Sequence, residues 1–356
     1  MSFKIQKINK RQEIILDYVS GNVKVSVSEI LNYLRGNFEK VSRITVIRDL
    51  DFLIKQKFLI RQGFGRAVKY QLSLQYNLVR TIDLKKYFAI SQDRRQIKER
   101  FDFGIFQILK NDIFTAQEKE WLLAWHQKFQ QRFKQIKSKT LIKKEFERII
   151  IEFSWKSSQI EGNTYSLLDT ETLIKKNRIA QGKTKEEAQM ILNNKRAFDF
   201  VLDNITRFKT LSRAKIEQIH RILTYKLDIT KNLRHAPVRI IGTNYQPIDN
   251  VFQIEEAVKK MCQLINSKEN FFEKSFLSLI LLSYIQPFED GNKRTARMIA
   301  NAILLAHRSI PISYRAVDET EYKKASVLFY EINNLSYFKQ IFIEQFKFAT
   351  ENYFLL

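Results

Sequence analysis

The chain has 356 residues, of which 44% are hydrophobic and 28% charged, and this composition excludes a wholly disordered chain, a collagen and a membrane bundle. Lysine and arginine total 61 against 38 aspartates and glutamates, a net charge of +23 that indicates a polyanionic partner such as nucleic acid or nucleotide. The single cysteine rules out an internal disulfide and favours a cytoplasmic location. We expect no signal peptide and no membrane partner, because the longest apolar run, residues 276–285, is too short to cross a bilayer.

The first 80 residues carry the densest charge, with 15 basic and 6 acidic side chains. Apolar periodicity predicts helices over residues 8–19 and 27–34, and a third helix after Ser42, a suitable N-cap. Strands are predicted over 58–61 and 67–72, on either side of a glycine turn at 63–65. Three helices followed by a β-hairpin is the order of a winged helix-turn-helix, which we assign to residues 1–78.

In that geometry the third helix enters the major groove of duplex DNA. We therefore expect Arg43, Thr45 and Arg48 to face double-stranded DNA, and Arg66 and Lys69 on the wing to reach phosphates. Many winged helices contact proteins instead, and the charge pattern leaves that alternative open.

The remainder of the chain is predicted to be mainly helical. Residues 79–140 form a helical linker and residues 141–356 a longer helical domain, interrupted by a β-like segment at 238–249. Two amphipathic helices fill 319–354, with a break near 333–334. Their aromatic residues recur at helical spacing, so they form either core or the face of a homodimer.

The segment 285–297, IQPFEDGNKRTAR, contains the highest density of candidate functional side chains. An apolar helix stops before Pro287, a turn follows at 290–292, and a new helix begins near Lys293. A helix N-terminus offers free N–H groups to an anion, and Arg294 and Arg297 lie on one side of its first turn. The pattern predicts a site for a nucleotide di- or triphosphate; a capped helix with solvated arginines is the alternative.

This segment resembles the signature of the Fic (Fic/Doc) superfamily, His-x-Phe-x-Asp/Glu-Gly-Asn-Gly-Arg-x-x-Arg, over residues 286–297. A second segment, SSQIEGN over 157–163, is similar to the inhibitory helix of Fic proteins, which we place at about 155–163. Residues 238–249 resemble the family's flap, a β-hairpin that holds the target chain by strand addition. The resemblance implies a mainly α fold, with a helical Fic domain behind a small α+β winged-helix domain.

The resemblance also implies a reaction, the transfer of AMP from ATP to a hydroxyl of a target protein. Asp290 would hold Mg²⁺, and Asn292 and the backbone at Gly291 would form the anion hole. Arg294 would contact the phosphates nearer the sugar, and Arg297 the γ-phosphate.

Two further sets of residues follow from the resemblance. The inhibitory set is Ser157, Glu161, Gly162 and Asn163, in which Glu161 would pair with Arg297 and exclude ATP from its productive pose. The target flap would use Ile240, Gly242 and Thr243.

The sequence departs from the family pattern at Gln286, where the family has its general-base histidine. A glutamine amide does not accept a proton near neutral pH, so a contribution of about 10²–10⁴-fold to the rate would be absent. The resemblance therefore predicts an autoinhibited AMP-transferase of weak or no activity. Natural degeneration and an engineered change both remain open as the origin of Gln286.

Lys293 is a second departure, since the family usually has glycine there. It resembles the Doc branch, for which phosphate transfer is implied, whereas a lysine pointing into solvent is the plain alternative. Gln286, Asn292 and Lys293 are thus the candidate catalytic positions. Two other functions remain open: a DNA-binding regulator with a degenerate nucleotide-binding domain, and a Doc-like phosphotransferase or toxin.

Overall fold

The computed structural model describes residues 8–22, 24–38 and 40–355, apart from the side chain of Arg66. By the contacts among its residues the chain divides into two compact units, Met1–Ile82 and Asp83–Leu356, which we call the N-terminal and C-terminal units. Both are mainly helical. None of the helices in the described ranges is both long and apolar enough to cross a membrane.

The N-terminal unit has three helices, an antiparallel hairpin and a short fourth helix. The elements are α1 (Lys10–Ser20), α2 (Val27–Arg35), α3 (Arg43–Lys55), β1 (Leu59–Gln62), β2 (Lys69–Leu72) and α4 (Leu74–Val79).

The predicted order of three helices and two strands is found in this unit, with shifts of at most two residues at the ends. Asn9, Ser26 and Ser42 cap the three helices, since each side-chain oxygen accepts from a backbone N–H of the first turn. The hairpin pairs Leu59 with Leu72 and turns through Gly63, whose φ of +84° favours glycine.

A buried carboxylate fixes the orientation of α3. Asp49 accepts from the guanidinium of Arg11 and, at 3.0 Å, from the side chain of Gln12, both on α1. Val46, Leu50 and Leu53 fill the core on the same face of α3. The opposite face of α3, which begins at Arg43, is therefore turned to solvent.

The C-terminal unit consists of helices joined by short loops and one extended segment. The helices are α5 (Leu84–Ala89), α6 (Ile105–Ile108), α7 (Ala116–Gln135), α8 (Lys139–Gln159), α9 (Leu167–Lys176), α10 (Lys185–Asp203), α11 (Arg213–Leu223), α12 (Val251–Ser267), α13 (Phe271–Ile285), α14 (Asn292–Ala306), α15 (Glu319–Ile332) and α16 (Ser336–Asn352).

The centre of this unit is the pair α13 and α14, connected by residues 286–291. Almost every side chain of both helices is buried; α13 is apolar nearly all round, whereas α14 buries the charged Arg294 and Arg297 in its first two turns. Helices α8, α10, α11 and α15 pack around the pair. The aromatic residues expected to form core or a dimer face are nearly all in the core: Tyr330, Phe338, Phe342, Phe346 and Tyr353 are 0–1% exposed.

The predicted β-hairpin of the flap is wrong in its secondary structure. Residues 238–249 form an extended chain with a turn at 241–242, and within the described part of the chain their one β-bridge joins Gln246 to Arg100 in the parallel sense. The physical reason is that backbone groups of this segment form hydrogen bonds with residues outside it. The N–H of Gln246 donates to the carbonyl of Glu99, and the carbonyls of Gly242 and Ile248 accept from Arg95 and Arg234.

The segment before α6, expected to be part of a linker, supports this flap. Arg95 donates to the carbonyl of Gly242 at 2.7 Å and pairs with Glu331 of α15 at 3.0 Å. Tyr87 donates to the other oxygen of Glu331 at 2.7 Å, and Gln92 donates to Asn244 at 2.6 Å. The side chains of Arg95 and Glu331 are only 6% and 0% exposed, so the flap is fastened to α15 by a buried ion pair.

We expect Arg95→Ala to lower the free energy of unfolding of the C-terminal unit by about 3–5 kcal/mol, because it leaves Glu331 buried without its cation. Urea unfolding followed by tryptophan fluorescence measures this unit alone, since Trp121, Trp125 and Trp155 all lie in it.

Lys175→Ala is the matched control for Arg95→Ala. It removes an exposed pair with Glu171 at 2.8 Å, and we expect less than about 0.5 kcal/mol. Equal losses in the two variants would contradict a structural role for the buried pair.

Candidate functional site

The turn before α14 leaves a helix N-terminus without a side-chain cap. Gly291 occupies the N-cap position with φ +78°, and a Cβ there would lie 3.3 Å from Thr224 and 3.5 Å from His220. Glycine is therefore required both by the backbone conformation and by the space. The N–H groups of residues 292–294 have no carbonyl of their own helix to bond, and they carry the positive end of the helix dipole.

Asn292 closes the loop onto itself. Its side-chain oxygen accepts from the N–H of Phe288 at 2.9 Å, and its amide donates to the carbonyl of Phe288 at 2.8 Å and to the side-chain oxygen of Gln286 at 2.9 Å. The side chain of Asn292 is thus engaged in the loop, and what it leaves to an anion is its backbone N–H.

Gln286 is held in the same network and is 8% exposed. Its amide donates to the carbonyl of Ser283 at 2.6 Å, while its oxygen accepts from Asn292. Its φ of +51° ends α13 in the left-handed conformation, directly before Pro287. Both ends of the side chain stabilise the loop, and neither can take a proton near neutral pH.

Arg297 and the end of α8 form the electrostatic centre of the site. The Arg297 side chain is 0% exposed; it donates to the hydroxyl of Ser157 at 3.0 Å, to the Ser157 carbonyl at 2.8 Å and to Glu161 at 2.9 Å. Its guanidinium also lies over the ring of Tyr322, 5.5 Å from the ring centre. The resemblance described above implied that Glu161 pairs with Arg297 beside Ser157. In the structure these three side chains are in hydrogen-bond contact.

Glu161 itself lies just beyond α8, in the turn that ends the helix. Gly162 allows that turn with φ +97°, and Asn163 fixes it by donating to the carbonyl of Glu187 at 2.9 Å. Lys293 approaches the second oxygen of Glu161 at 3.7 Å and lines the cleft, so its side chain does not simply point into solvent.

The charges set the protonation of this cluster. Burial raises the pKa of Glu161, but the cations of Arg297 and Lys293 outweigh it, and the net shift is downward. Burial lowers the pKa of Arg294, although Asp290 opposes it at 3.1 Å. Glu161 is therefore an anion at neutral pH, and it occupies the place beside Arg297 where another anion would bind.

A cleft of about 340 Å³ opens beside these residues. Residues 286 and 289–293 form its floor, Glu161 and Gly162 one wall, the flap residues 238–241 a second wall, and Lys323, Ser326 and Tyr330 of α15 a third. The cleft therefore has free backbone N–H groups at its floor, and its walls mix charged side chains such as Arg239 and Lys323 with apolar ones such as Val238 and Ile240.

The three predicted flap residues differ in their surroundings. Ile240 lines the cleft, Gly242 lies at the turn with φ +88°, and Thr243 is buried and accepts from the N–H of Tyr245. The neighbouring Ile241 is 100% exposed at the edge of the cleft.

Sequence reasoning missed two residues that hold the loop from behind. His220 of α11 stacks on Phe288, with ring centres 3.7 Å apart, and bonds the carbonyl of Asp290 at 2.9 Å. Arg234 donates to the carbonyl of Gln286 at 2.6 Å and to that of Ala236 at 2.9 Å. Neither belongs to a local motif, so only the fold brings them to the loop.

His220 is kept neutral by its surroundings. Burial lowers its pKa to about 4, and the hydrogen bond to Asp290 only partly opposes that shift. His235, which precedes the flap, is exposed and does not line the cleft.

Asp290 fits Mg²⁺ only together with a phosphate. Its side chain is 67% exposed at the mouth of the cleft, and the described residues contain no group of three or more His, Cys, Asp or Glu side chains able to hold a metal. Magnesium is commonly bound by one or two carboxylates plus substrate phosphates, and this donor set agrees with that pattern. Unpartnered Nη1 atoms on the buried guanidiniums of Arg294 and Arg297 supply donors for those phosphates.

The residues predicted to contact DNA lie in the N-terminal unit. Arg43 and Arg48 are exposed on α3, and Arg43 also donates to Ser28 at 3.3 Å. Thr45 is partly buried and bonds Ser42, while Lys69 pairs with Glu29 at 3.0 Å. The side chain of Arg66 lies outside the described structure.

Comparison with known proteins shows that the model of the Fic/DOC family matches residues 210–304 of this chain. A curated "Protein adenylyltransferase Fic" from Nematostella vectensis is 26% identical over 186 residues, or 51% of this chain and 43% of that protein. "Protein adenylyltransferase fic-1" from Caenorhabditis elegans is 20% identical over 216 residues, or 59% and 42%. The chain thus spans less than half the length of these relatives.

Solved structures agree on the fold. Residues 134–508 of Fic-1 from C. elegans align with a TM-score of 0.58 and 15% identity, over 96% of this chain and 95% of that one. A Fic family protein from Desulfovibrio desulfuricans aligns with a TM-score of 0.56 and 17% identity, over 67% of this chain and 74% of that one.

The neutrality of His220 gives a pH dependence of stability. An unfolded histidine binds its proton near pH 6.5, whereas His220 in the folded chain binds it near pH 4. The unfolded state therefore holds more protons in this window, and the fold loses stability as the pH falls through it.

Between pH 7.5 and pH 5 we expect the wild type to lose about 2 kcal/mol more than His220→Phe, which keeps the stack on Phe288 but does not titrate. Urea unfolding at both pH values measures the difference, with His235→Phe as the control at an exposed histidine. An identical pH dependence in wild type and His220→Phe would contradict the burial argument.

Proposed function

We propose that the C-terminal unit binds ATP in the cleft beside α14 and is built for transfer of AMP to a hydroxyl of a protein. The observation that carries the proposal is the ion pair between Glu161 and the fully buried Arg297, next to the uncapped N-terminus of α14. A buried guanidinium and free backbone N–H groups supply the hydrogen-bond donors that a triphosphate needs, and the exposed Asp290 supplies a carboxylate for its metal. The names of the curated relatives supply the reaction class.

The phosphates would bind by replacing Glu161. The N–H groups of residues 292–294 and the guanidinium of Arg294 would hold the phosphates nearer the sugar, and Arg297 the terminal phosphate. Mg²⁺, held by Asp290 and phosphate oxygens, would neutralise part of the triphosphate's charge. Glu161 already fills the acceptor position of Arg297, so productive binding requires Glu161 to leave, which is autoinhibition in physical terms.

In the transfer, the target hydroxyl oxygen attacks the α-phosphorus, the bond to pyrophosphate breaks, and the hydroxyl proton must go to an acceptor. Gln286 is not that acceptor, since its amide is neutral and is bonded to Ser283 and Asn292. His220 is not that acceptor either, since it lies behind the loop with its Nε2 on the Asp290 carbonyl. The chain therefore binds nucleotide better than it turns it over.

Phosphate transfer is a second candidate, and the position of Lys293 favours it. The ammonium of Lys293 lies beside Glu161 at the mouth of the anion site, where it would crowd a triphosphate placed for attack at the α-phosphorus. Labelling of the α- and γ-phosphates separates the two reactions.

For the N-terminal unit we propose a winged helix-turn-helix that binds duplex DNA. The order of three helices and a hairpin supports the assignment, and so do the exposed arginines of α3. Docking of a protein on the same face is the alternative. Duplex affinity that falls steeply as salt rises is the expected result, because Lys and Arg displace counterions from phosphates.

We expect Glu161→Gly to strengthen ATP binding by about tenfold or more and Arg297→Ala to weaken it by about ten- to a hundredfold. The reason is that hydrogen bonds to a charged group contribute about 1.5–3 kcal/mol. Isothermal titration with ATP and Mg²⁺ measures both changes.

Glu161→Gln removes the charge and keeps the size of the side chain, so we expect its ATP affinity to lie between those of the wild type and Glu161→Gly. Arg315→Ala is the control for Arg297→Ala, because Arg315 pairs with Glu152, and neither residue lines the cleft. Unchanged affinity in Arg297→Ala would remove the phosphate role from this residue.

We expect Gln286→His, combined with Glu161→Gly, to raise the rate of label transfer from ATP to protein by about 10²–10⁴-fold over Glu161→Gly alone. The assay uses ATP labelled once on the α- and once on the γ-phosphate, with self-modification of the chain as the readout. Label from the α-phosphate supports AMP transfer, and label from the γ-phosphate supports the second candidate.

No label in either experiment, with ATP binding intact, would refute a transferase scaffold and leave a nucleotide-binding domain. Lys293→Gly in the same background tests the crowding: it should raise α-label transfer and lower any γ-label transfer.

A further inference from the structure

The solvent face of α3 carries an apolar stripe between arginines. Ile44 is 65% exposed and Ile47 38%. The charged Arg48 and Asp51 lie on the same face, three or four residues further along, and we call these four residues the α3 stripe. The buried face is formed by other side chains, Val46, Asp49, Leu50 and Leu53. The two isoleucines therefore do not belong to the hydrophobic core of the N-terminal unit.

Single exposed apolar residues are common on protein surfaces and need no explanation. Two adjacent ones on the outward face of one helix, flanked by Arg43 and Arg48, form a surface with both apolar and cationic character. Such a surface fits a partner that offers apolar groups embedded in negative charge.

Charge complementarity selects that partner. The first 80 residues hold 15 basic and 6 acidic side chains. Two of the acidic groups are already engaged: Asp49 is buried against Arg11 and Gln12, and Glu29 is bonded to Lys69 and Ser26. Of the α3 stripe only Asp51 is negative. A polyanion is favoured over a neutral protein surface.

Duplex DNA offers one apolar group in the major groove, the C5-methyl of thymine, while the surrounding edges are polar and the backbone is charged. We propose that Ile44 and Ile47 contact thymine methyl groups, and that Arg48 with Arg43 holds neighbouring phosphates or a guanine edge. This inference rests on the proposed binding of duplex DNA by the N-terminal unit and adds a base preference to it. Asp51, one turn further along, keeps the end of the stripe away from the phosphates.

The test begins with the full chain and a pool of randomised duplexes, from which bound sequences are enriched at low salt. The strongest site is then made in two forms, with thymine and with uracil at every position, which differ only in methyl groups. Fluorescence anisotropy gives the affinity of each form for the wild type, Ile44→Ala, Ile47→Ala and the control Leu74→Ala. Leu74 is 46% exposed but lies on α4, so its truncation removes apolar surface from another helix.

We expect the wild type to bind the thymine form about fourfold more tightly for each methyl contacted, from about 0.8 kcal/mol per buried CH₂. Ile44→Ala and Ile47→Ala should each bind the two forms with more nearly equal affinity, and Leu74→Ala should retain the full preference. Arg48→Ala should weaken both forms alike and reduce the salt dependence.

Three results would overturn the inference, each in a distinguishable way. Tight, salt-dependent binding with equal affinity for the two forms would leave DNA binding intact and remove the methyl contacts. A preference for thymine that survives in both isoleucine variants would move the contact elsewhere. No duplex affinity at low salt would refute DNA binding altogether and make the α3 face a protein-docking surface.

Discussion

A fully buried guanidinium organises the C-terminal unit. Arg297 has no exposed surface, and an unpaired charge in such a place would cost several kcal/mol. Its partners come from different parts of the chain: Ser157 and Glu161 from the end of α8, and the ring of Tyr322 from α15. Satisfying this one charge therefore brings three helices together at the start of α14, where the loop and the free N–H groups lie.

In the proposed function, the same requirement makes two anions compete for Arg297, the carboxylate of Glu161 and a phosphate. Glu161 is the acceptor present in the folded chain, and a ligand would have to supply an equivalent acceptor before the carboxylate could leave. Lys293 adds a second cation beside Glu161. The ion pair that stabilises the fold would therefore also be the one that closes the site.

Much of this arrangement was predictable from local sequence. The helix caps at Ser26 and Ser42, the stop before Pro287 and the left-handed break at Asn333 each depend on a few neighbouring residues. The approach of Glu161 to Arg297, by contrast, was implied only by the resemblance of two segments to the Fic signature and to the inhibitory helix.

What the sequence did not predict depends on distant parts of the chain. The flap resembles a hairpin by composition, but its two halves do not pair with each other. Its backbone groups bond to Glu99, Arg95 and Arg234, which lie outside the flap. His220 contacts the loop although it lies 70 residues before Asp290, and no periodicity or spacing in the sequence predicts that contact. Such contacts appear only after the helices have packed, and for the same reason the exposure of Ile44 and Ile47 could not be read from an amphipathic pattern.

The engagement of Gln286 has a consequence for how the domain would report on its surroundings. An enzyme consumes what it binds, so its occupancy reflects a balance between supply and turnover. In the proposed function, a site whose Gln286 side chain is bonded to Ser283 and Asn292 would release its ligand mainly by dissociation. Its occupancy would then follow the ligand's concentration, with Glu161 setting the concentration at which binding begins.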